Sequence, residues 1–286
     1  MLPVQHILLP VDFSDRCSGM AGYVQLLAKA YNAKVSLLHV AEYVFLGPTG
    51  VGLPPMPIET PQERLDELMG LLNAFAAKHF PGIAVTSTLR KGDAAVEIVD
   101  YAKMEGVDLI AMPTHGRGMF RRFLLGSITA KVIHDASIPV LTGAHLETNK
   151  TGEAGKFSHI LCSISLDQHS RSTLAVAARL ASHLGAKLGI VHAIPVQDAR
   201  LAINFGSDWE NQLVGMCKAQ IHELEQEVGT AADVFVKLGK PGDVICRLAE
   251  SIHCDLVIVG RGADDGLFNG NAYDVIRQSP CPVVSV

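Results

Sequence analysis

No long block of one charge sign runs through this sequence: 24 lysines and arginines face 29 acidic residues, giving a net charge of −5 over 286 residues. A chain without a basic tail or stripe lacks the electrostatic footprint of a nucleic-acid binder, so nucleic acid is excluded as a main partner. No apolar run reaches the roughly 18 residues that a spanning helix needs, so no membrane partner is expected. The segment MLPVQHILLPVDFSD has no basic leader and sets Asp12 directly behind its apolar run, so it reads as a strand and not as a signal peptide. The six cysteines, at 17, 162, 217, 246, 254 and 281, form no CxxC pair, and the twelve histidines show no HExxH spacing. Scattered thiols of this kind point to reduced, mostly buried cysteines in a cytoplasmic protein. His6, His39, His159 and His192 read as strand-border residues, not as metal ligands.

What is present is repetition. HILLPVDFS from His6 matches HILCSISLD from His159, and LAKAYNAKVSLLHV (Leu27 to Val40) matches LASHLGAKLGIVHA (Leu180 to Ala193), both at an offset of 153. KGDAAVEIVDYAKMEGVDLIAM then matches GKPGDVICRLAESIHCDLVIVG, and VIHDASIPVL matches VIRQSPCPVV. Unchanged order across both halves means a duplicated domain, in a chain of a length that suits about two domains, and the unit is too long for a solenoid repeat. The expected division is a first domain at 1–146, a polar, glycine-bearing linker at 147–156, and a second domain at 157–286.

Each half alternates apolar strands with amphipathic helices, which predicts a parallel sheet covered on both faces with right-handed crossovers. FLGPTGVGLPPMPIETP, rich in glycine and proline, reads as a loop. In such a sheet a ligand binds beyond the carboxyl ends of the strands, where strand order switches, and those ends carry PVDFS, HVAE and MPTHG.

One segment there has two readings. MPTHGRGMFRRFLLGSITAKVIHDASIPVL places Gly116, then Arg117, Arg121 and Arg122, then Gly126-Ser127 at an apparent helix start. A phosphate suits the unpaired amides and positive end of a helix start, glycine lets it approach the chain, and guanidinium groups suit its oxygens. A turn, an ordinary helix cap and a solvated basic loop would explain the same residues. Asp12 ends the first strand and either meets an adenine amine or ribose hydroxyl or caps the next helix, with Ser14 as a rival cap.

On these residues the chain resembles a tandem member of the universal stress protein family, over almost its whole length. The family's nucleotide motif is a glycine, two residues, a glycine, nine residues, then Gly-Ser or Gly-Thr. Gly116 and Gly126-Ser127 match, and Pro113 stands at the first glycine. The resemblance implies two tandem five-stranded parallel-sheet domains, adenine-nucleotide-hydrolase-like and Rossmann-like, pairing through IPVLTG and CPVVSV as an intrachain pseudo-dimer. Two such chains would form a homodimer, with protein partners unknown. It implies ATP as ligand, with Mg²⁺ held by the phosphates and water. Pro10, Val11, Asp12 and Val40 would line the adenine and ribose pocket. Met112, Pro113 and His115 would flank the ribose and phosphates. Gly116, Arg117, Gly126, Ser127 and Ile128 would cradle the phosphates. Proline lacks an N–H and fixes φ, so Pro113 implies weakened ATP binding and, at the limit, none.

The second half departs further. Ser163, Ser165 and Ala193 replace Pro10, Asp12 and Val40, and its shorter loop holds Asp264 and Asp265 where arginines stood, with no Gly-Ser pair. Carboxylates repel phosphate, so this half is expected not to bind ATP in the family's manner. The chain lacks GxxxxGK[ST], GxSxG and SGGxDS, and has no aspartate ending its third strand, so P-loop, hydrolase, pyrophosphatase and receiver chemistry are not expected. No general base is identifiable, so the expectation is an ATP-binding stress-response regulator, not an enzyme, with slow hydrolysis at most. The alternatives are a scaffold of the same fold that binds no nucleotide, and a small-molecule or lipid binder using the loop from Phe45 to Pro61.

Overall fold

The computed structural model describes residues 4–41, 44–46, 56–58, 61–114, 125–143, 156–195, 209–261 and 270–286. In chain order the first half contributes β1 (His6–Pro10), α1 (Asp15–Tyr31), β2 (Lys34–Ala41), β3 (Val44–Leu46), β4 (Met56–Ile58), α2 (Gln62–His79), β5 (Val85–Lys91), α3 (Ala94–Met104), β6 (Leu109–Pro113), α4 (Ser127–Asp135) and β7 (Val140–Gly143). The second half follows with β8 (His159–Ser163), α5 (Ser170–Leu184), β9 (Lys187–Ile194), α6 (Trp209–Val228), β10 (Asp233–Leu238), α7 (Pro241–Ser251), β11 (Leu256–Val259), α8 (Gly270–Gln278) and β12 (Val283–Ser285). The Gly/Pro-rich segment read above as a loop departs from expectation: β3 and β4 pair antiparallel in a separate two-stranded sheet.

The main sheet has ten strands in the order β10-β9-β8-β11-β12-β7-β6-β1-β2-β5. Each half is a parallel five-stranded unit, and the strand order reverses between β1 and β6 in the first and between β8 and β11 in the second. The one antiparallel contact in this sheet joins β7 to β12, so the expected pairing of last strands is realised within the chain. Its register sets Val283 against Thr142, Val284 against Leu141 and Ser285 against Val140. The seam carries a reciprocal pair of side-chain bonds: Thr142 Oγ1 donates to the Val283 carbonyl at 3.3 Å, and Ser285 Oγ to the Val140 carbonyl at 3.4 Å.

Period-two alternation sorts the core. Ile7 and Leu9 face α1 and α2, which bury Met20, Val24, Leu72 and Phe75, while Leu8 faces α3 and α4, which bury Ile98, Tyr101, Val132 and Ile133. Residues of the second half continue both layers, with Ile160 and Cys162 in the first and Leu161 and Val257 in the second. Phe157, at the end of the polar stretch between the halves, is buried beside Tyr23 of α1, with ring centroids 5.9 Å apart.

Each half fastens its first strand to its fourth in the same way. The N–H groups of Gln5 and His6 donate to Asp108 Oδ2 at 2.8 and 3.0 Å, and those of Ser158 and His159 to Asp255 Oδ2 at 2.7 and 2.9 Å. Hydrogen bonds to a charged acceptor contribute more than neutral ones, so Asp108→Ala and Asp255→Ala should each lower stability by about 2 kcal/mol. The two sites share no partner, so the losses should add in the double variant. Urea midpoints of the three variants check this, and a double variant no weaker than either single would refute it.

Candidate functional site

The chain folds so that the segments after β1 and β6 meet at the switch point between those strands, beside the end of β2. β1 ends at Pro10, and Val11 remains in register because its N–H donates to the Leu38 carbonyl at 2.8 Å. The Val11 carbonyl in turn lies 2.6 Å from His39 Nδ1, which fixes the imidazole and explains a histidine at a strand end. Phe13 then turns the chain with φ of 61°, and its ring meets that of His39 at 4.8 Å. The turn delivers Ser14 as the cap of α1, with Ser14 Oγ accepting from the Cys17 N–H at 3.2 Å. Ser14 is thus the cap, and Asp12 supports it: Asp12 Oδ1 accepts from Ser14 N–H at 3.0 Å and from Ser14 Oγ at 2.6 Å. Beneath them the buried Cys17 thiol donates to the Pro10 carbonyl at 3.6 Å. Burial, with the Asp12 charge adding to it, pushes that thiol up to about 12, so it stays protonated and inert.

The second loop follows β6. Pro113 is buried and in register with Gly143 of β7. Thr129 Oγ1 donates to the Pro113 carbonyl at 3.0 Å, and the Gly126 N–H donates to the Thr114 carbonyl at 2.8 Å. These two bonds fasten the start of α4 to the end of β6. Gly126 occupies the N-cap position of α4 with φ −62° and ψ 146° and supplies no side-chain cap. Any residue adopts those angles, so the backbone does not demand glycine here. Ser127 is the first helical residue and not the cap, and its side chain is exposed. Among the described residues no side chain caps the first-turn amides of α4, which carry the positive end of the helix dipole.

Between these loops lies an open cleft of about 600 Å³. Of the residues expected at the site, Pro10, Val11, Asp12, Val40, Met112, Pro113 and Ile128 line it, and Gly126 and Ser127 adjoin it at the start of α4. His115, Gly116, Arg117, Arg121 and Arg122 lie outside the described residues. The cleft has a further wall that the motif does not contain: Arg64, Leu68 and Leu71 from α2, with Ala94 and Ile98 from α3. One signal for it is in the packing: Leu71 and Ile128 are 46% and 38% exposed, although most large apolar side chains are buried. Their exposed surface borders the cleft, where a flat apolar ligand would cover it.

The second half repeats the frame and changes the site. The Ile164 N–H donates to the Val191 carbonyl at 3.0 Å, His192 Nδ1 lies 3.0 Å from the Ile164 carbonyl, and Leu166 makes the turn with φ of 59°. At the positions of Asp12 and Val40 stand Ser165 and Ala193. The residues expected to repel phosphate, Asp264 and Asp265, lie outside the described residues. Among the described residues no three His, Cys, Asp or Glu side chains are grouped to hold a metal, and no helix is long and apolar enough to cross a membrane.

Comparison with known proteins gives one consistent result. The model of the Universal stress protein family matches residues 3–142 and again residues 156–286. A universal stress protein of Methanocaldococcus jannaschii is 31% identical over 138 residues, covering 48% of this chain and 80% of that protein. One of Mycolicibacterium smegmatis is 24% identical over 98% of this chain and 96% of its own length, so the tandem arrangement is shared. A crystal structure of a universal stress protein from Archaeoglobus fulgidus superposes with a TM-score of 0.72 at 22% identity, covering 99% of this chain and 98% of that one.

Thr129→Val keeps the shape of α4 and removes the bond to Pro113. The buried carbonyl then loses its partner, which should cost about 1–2 kcal/mol and loosen the start of the helix. Native-state hydrogen exchange should quicken at the amides of α4 while α1 stays protected. Unchanged exchange in α4 would show that the bond does not hold it.

Proposed function

The chain belongs to the universal stress protein family, and on that premise we propose that its first half binds ATP in the cleft at the β1/β6 switch point. The chain would act as an ATP-binding stress-response regulator. The observation that carries this is the meeting of an apolar cleft with an uncapped helix start. About 600 Å³ falls within the range of small-ligand pockets, which run to roughly 300–1,000 Å³. Val40, Met112, Ile98 and Leu71 supply apolar surface for a base, and Asp12 supplies a carboxylate for a ribose hydroxyl or an adenine amine. The amides of Ser127 and Ile128 supply donors for phosphate, and the absent side chain of Gly126 leaves the approach open. Mg²⁺ would be held by the phosphates and water.

The nucleotide domain would be 1–146, with 147–156 as linker and 157–286 as a partner domain without nucleotide, and two chains would associate as a homodimer. The six cysteines are free, which accords with a cytoplasmic setting. ATP would act by ordering the loop after β6 and changing the surface shown to partners, with slow hydrolysis at most. A second reading, a scaffold that binds no nucleotide, draws on Pro113. A proline at the end of β6 offers no N–H at the point where the family motif has glycine.

Calorimetric titration with ATP and Mg²⁺, after stripping and assaying any co-purified nucleotide, tests the choice. One site per chain supports the proposal, and no heat with no nucleotide released supports the scaffold. Gly126→Asp should abolish binding and leave the far-UV spectrum unchanged, because a carboxylate would fill the approach and repel phosphate. Affinity equal to wild type in that variant would remove the phosphate assignment. Pro113→Gly should tighten binding by roughly 2–10-fold, the equivalent of one restored hydrogen bond. Weaker binding would mean that the rigidity of proline shapes the cleft instead.

A further inference from the structure

We infer that the second half governs the nucleotide affinity of the first, through Arg261, a positioning residue that holds the far end of α4. This rests on the proposed ATP site.

Arg261 follows β11 and stands where Thr114 follows β6. The equivalence is set by the backbone: the Thr114 N–H reaches the Gly143 carbonyl at 3.4 Å, and the Arg261 N–H reaches the Val286 carbonyl at 2.8 Å. In the first half this position opens the loop of the proposed phosphate site. In the second half its side chain runs across the seam instead. Arg261 Nη1 donates to the Ile133 carbonyl at 3.0 Å and also to the Ala136 carbonyl, and Nη2 donates to the Ile138 carbonyl. A further contact, Nη2 to the Ser285 carbonyl at 3.5 Å, ties the same guanidinium to β12. Ile133 and Ala136 are the last turn and C-cap of α4.

The last carbonyls of a helix have no partner within it, and its carboxyl end carries partial negative charge. A guanidinium answers both needs with donors set in a rigid fork. It is costly to bury: desolvation lowers the guanidinium to about 10, and three carbonyl acceptors of the other half offset that cost. A mere surface contact would not hold a cation there.

α4 is therefore fixed at two points. Thr129 and Gly126 fasten its start to β6, and Arg261 fastens its end to the second half. The helix between is nine residues long, short enough to carry a displacement of one end to the other. A shift at the carboxyl end reappears at the amides of Ser127 and Ile128. At the equivalent position of the first half stands Thr114, whose hydroxyl donates to the Gly143 carbonyl at 3.2 Å.

α1, which follows β1 and the turn at Phe13, is treated alike. His183 Nε2 of α5 lies 2.9 Å from the Ala30 carbonyl in its last turn, and the His183 ring stacks on Tyr31 at 3.9 Å. At the offset of 153, the position matching His183 in the first half is Ala30, which has no donor to return. The helices that follow β1 and β6, α1 and α4, are thus each bonded at their carboxyl ends by a side chain of the second half.

The test compares full-length wild type, Arg261→Met and Arg261→Lys, with Ile221→Ala as a control. Ile221 is buried in α6, which packs on α5 and β10 away from the seam, so its loss lowers stability without touching α4. ATP titration should show affinity about tenfold weaker in Arg261→Met, partly restored in Arg261→Lys, and unchanged in Ile221→Ala at a comparable loss of urea stability. Hydrogen exchange at residues 127–136 should quicken in Arg261→Met and not in Ile221→Ala. Wild-type affinity in Arg261→Met, or equal weakening in both destabilised variants, overturns the inference. If wild type itself binds no ATP, the nucleotide proposal fails, and exchange alone decides the positioning role: quickened α4 amides support it, and unchanged ones overturn it.

Discussion

Three residues of β7 and three of β12 pair antiparallel at the centre of the ten-stranded sheet. Alone, each would be the exposed edge of a five-stranded sheet, a row of unpaired donors and acceptors open to any other strand. Their pairing removes both edges at once. It also fixes the relation of the halves, because reciprocal bonds from Thr142 and Ser285 describe a two-fold relation, the isologous interface of a symmetric dimer built into one chain. The apolar layers on both faces continue through the seam, so the sheet has one core per face across both halves.

Within that frame, the two halves share several residues that support the sheet and differ where a residue would face a ligand. The carboxylates of Asp108 and Asp255, the histidines His39 and His192, and the left-handed turns at Phe13 and Leu166 recur with the same partners. The changes fall at the carboxyl ends of the strands: Asp12 to Ser165, Val40 to Ala193, Thr114 to Arg261. Losing any of the first group would leave buried polar groups unpaired. Asp12 and Val40 line the open cleft, where water can replace a lost ligand contact, whereas Thr114 is buried and its counterpart Arg261 has taken up a contact across the seam.

Much of the frame was legible in the residues. The repeat and the alternation of apolar runs and helical spacings follow from sequence because they depend on local periodicity and on self-similarity. The pairing of β7 with β12 was reached by resemblance, since no local pattern names a strand's partner. Sequence did not reveal the short β3–β4 hairpin, where glycine and proline obscured two three-residue runs. It left the cap of α1 open between Asp12 and Ser14, and geometry assigns it to Ser14 with Asp12 as support. The wall built from α2 and α3 was invisible for a different reason: Leu68, Leu71 and Ile98 are ordinary members of amphipathic helices, and only the tertiary arrangement brings them to the cleft. Arg261 was equally silent, because a glycine-flanked arginine reads as a loop residue until its acceptors 123 to 128 positions away are known.

A second domain that binds no nucleotide, as proposed for this one, would be kept for what the first half needs from it. Here the need is structural. The second half covers the open edge of β7, and it places donors on the carboxyl ends of α1 and α4. The first half returns the edge cover, while Ala30, at the position matching His183, has no side-chain donor. Arg261 also spends the residue that would open a phosphate loop of its own, so holding α4 and keeping a second such site exclude one another at that position. Asymmetry between the halves is then a consequence of the contact that joins them, not only a record of decay.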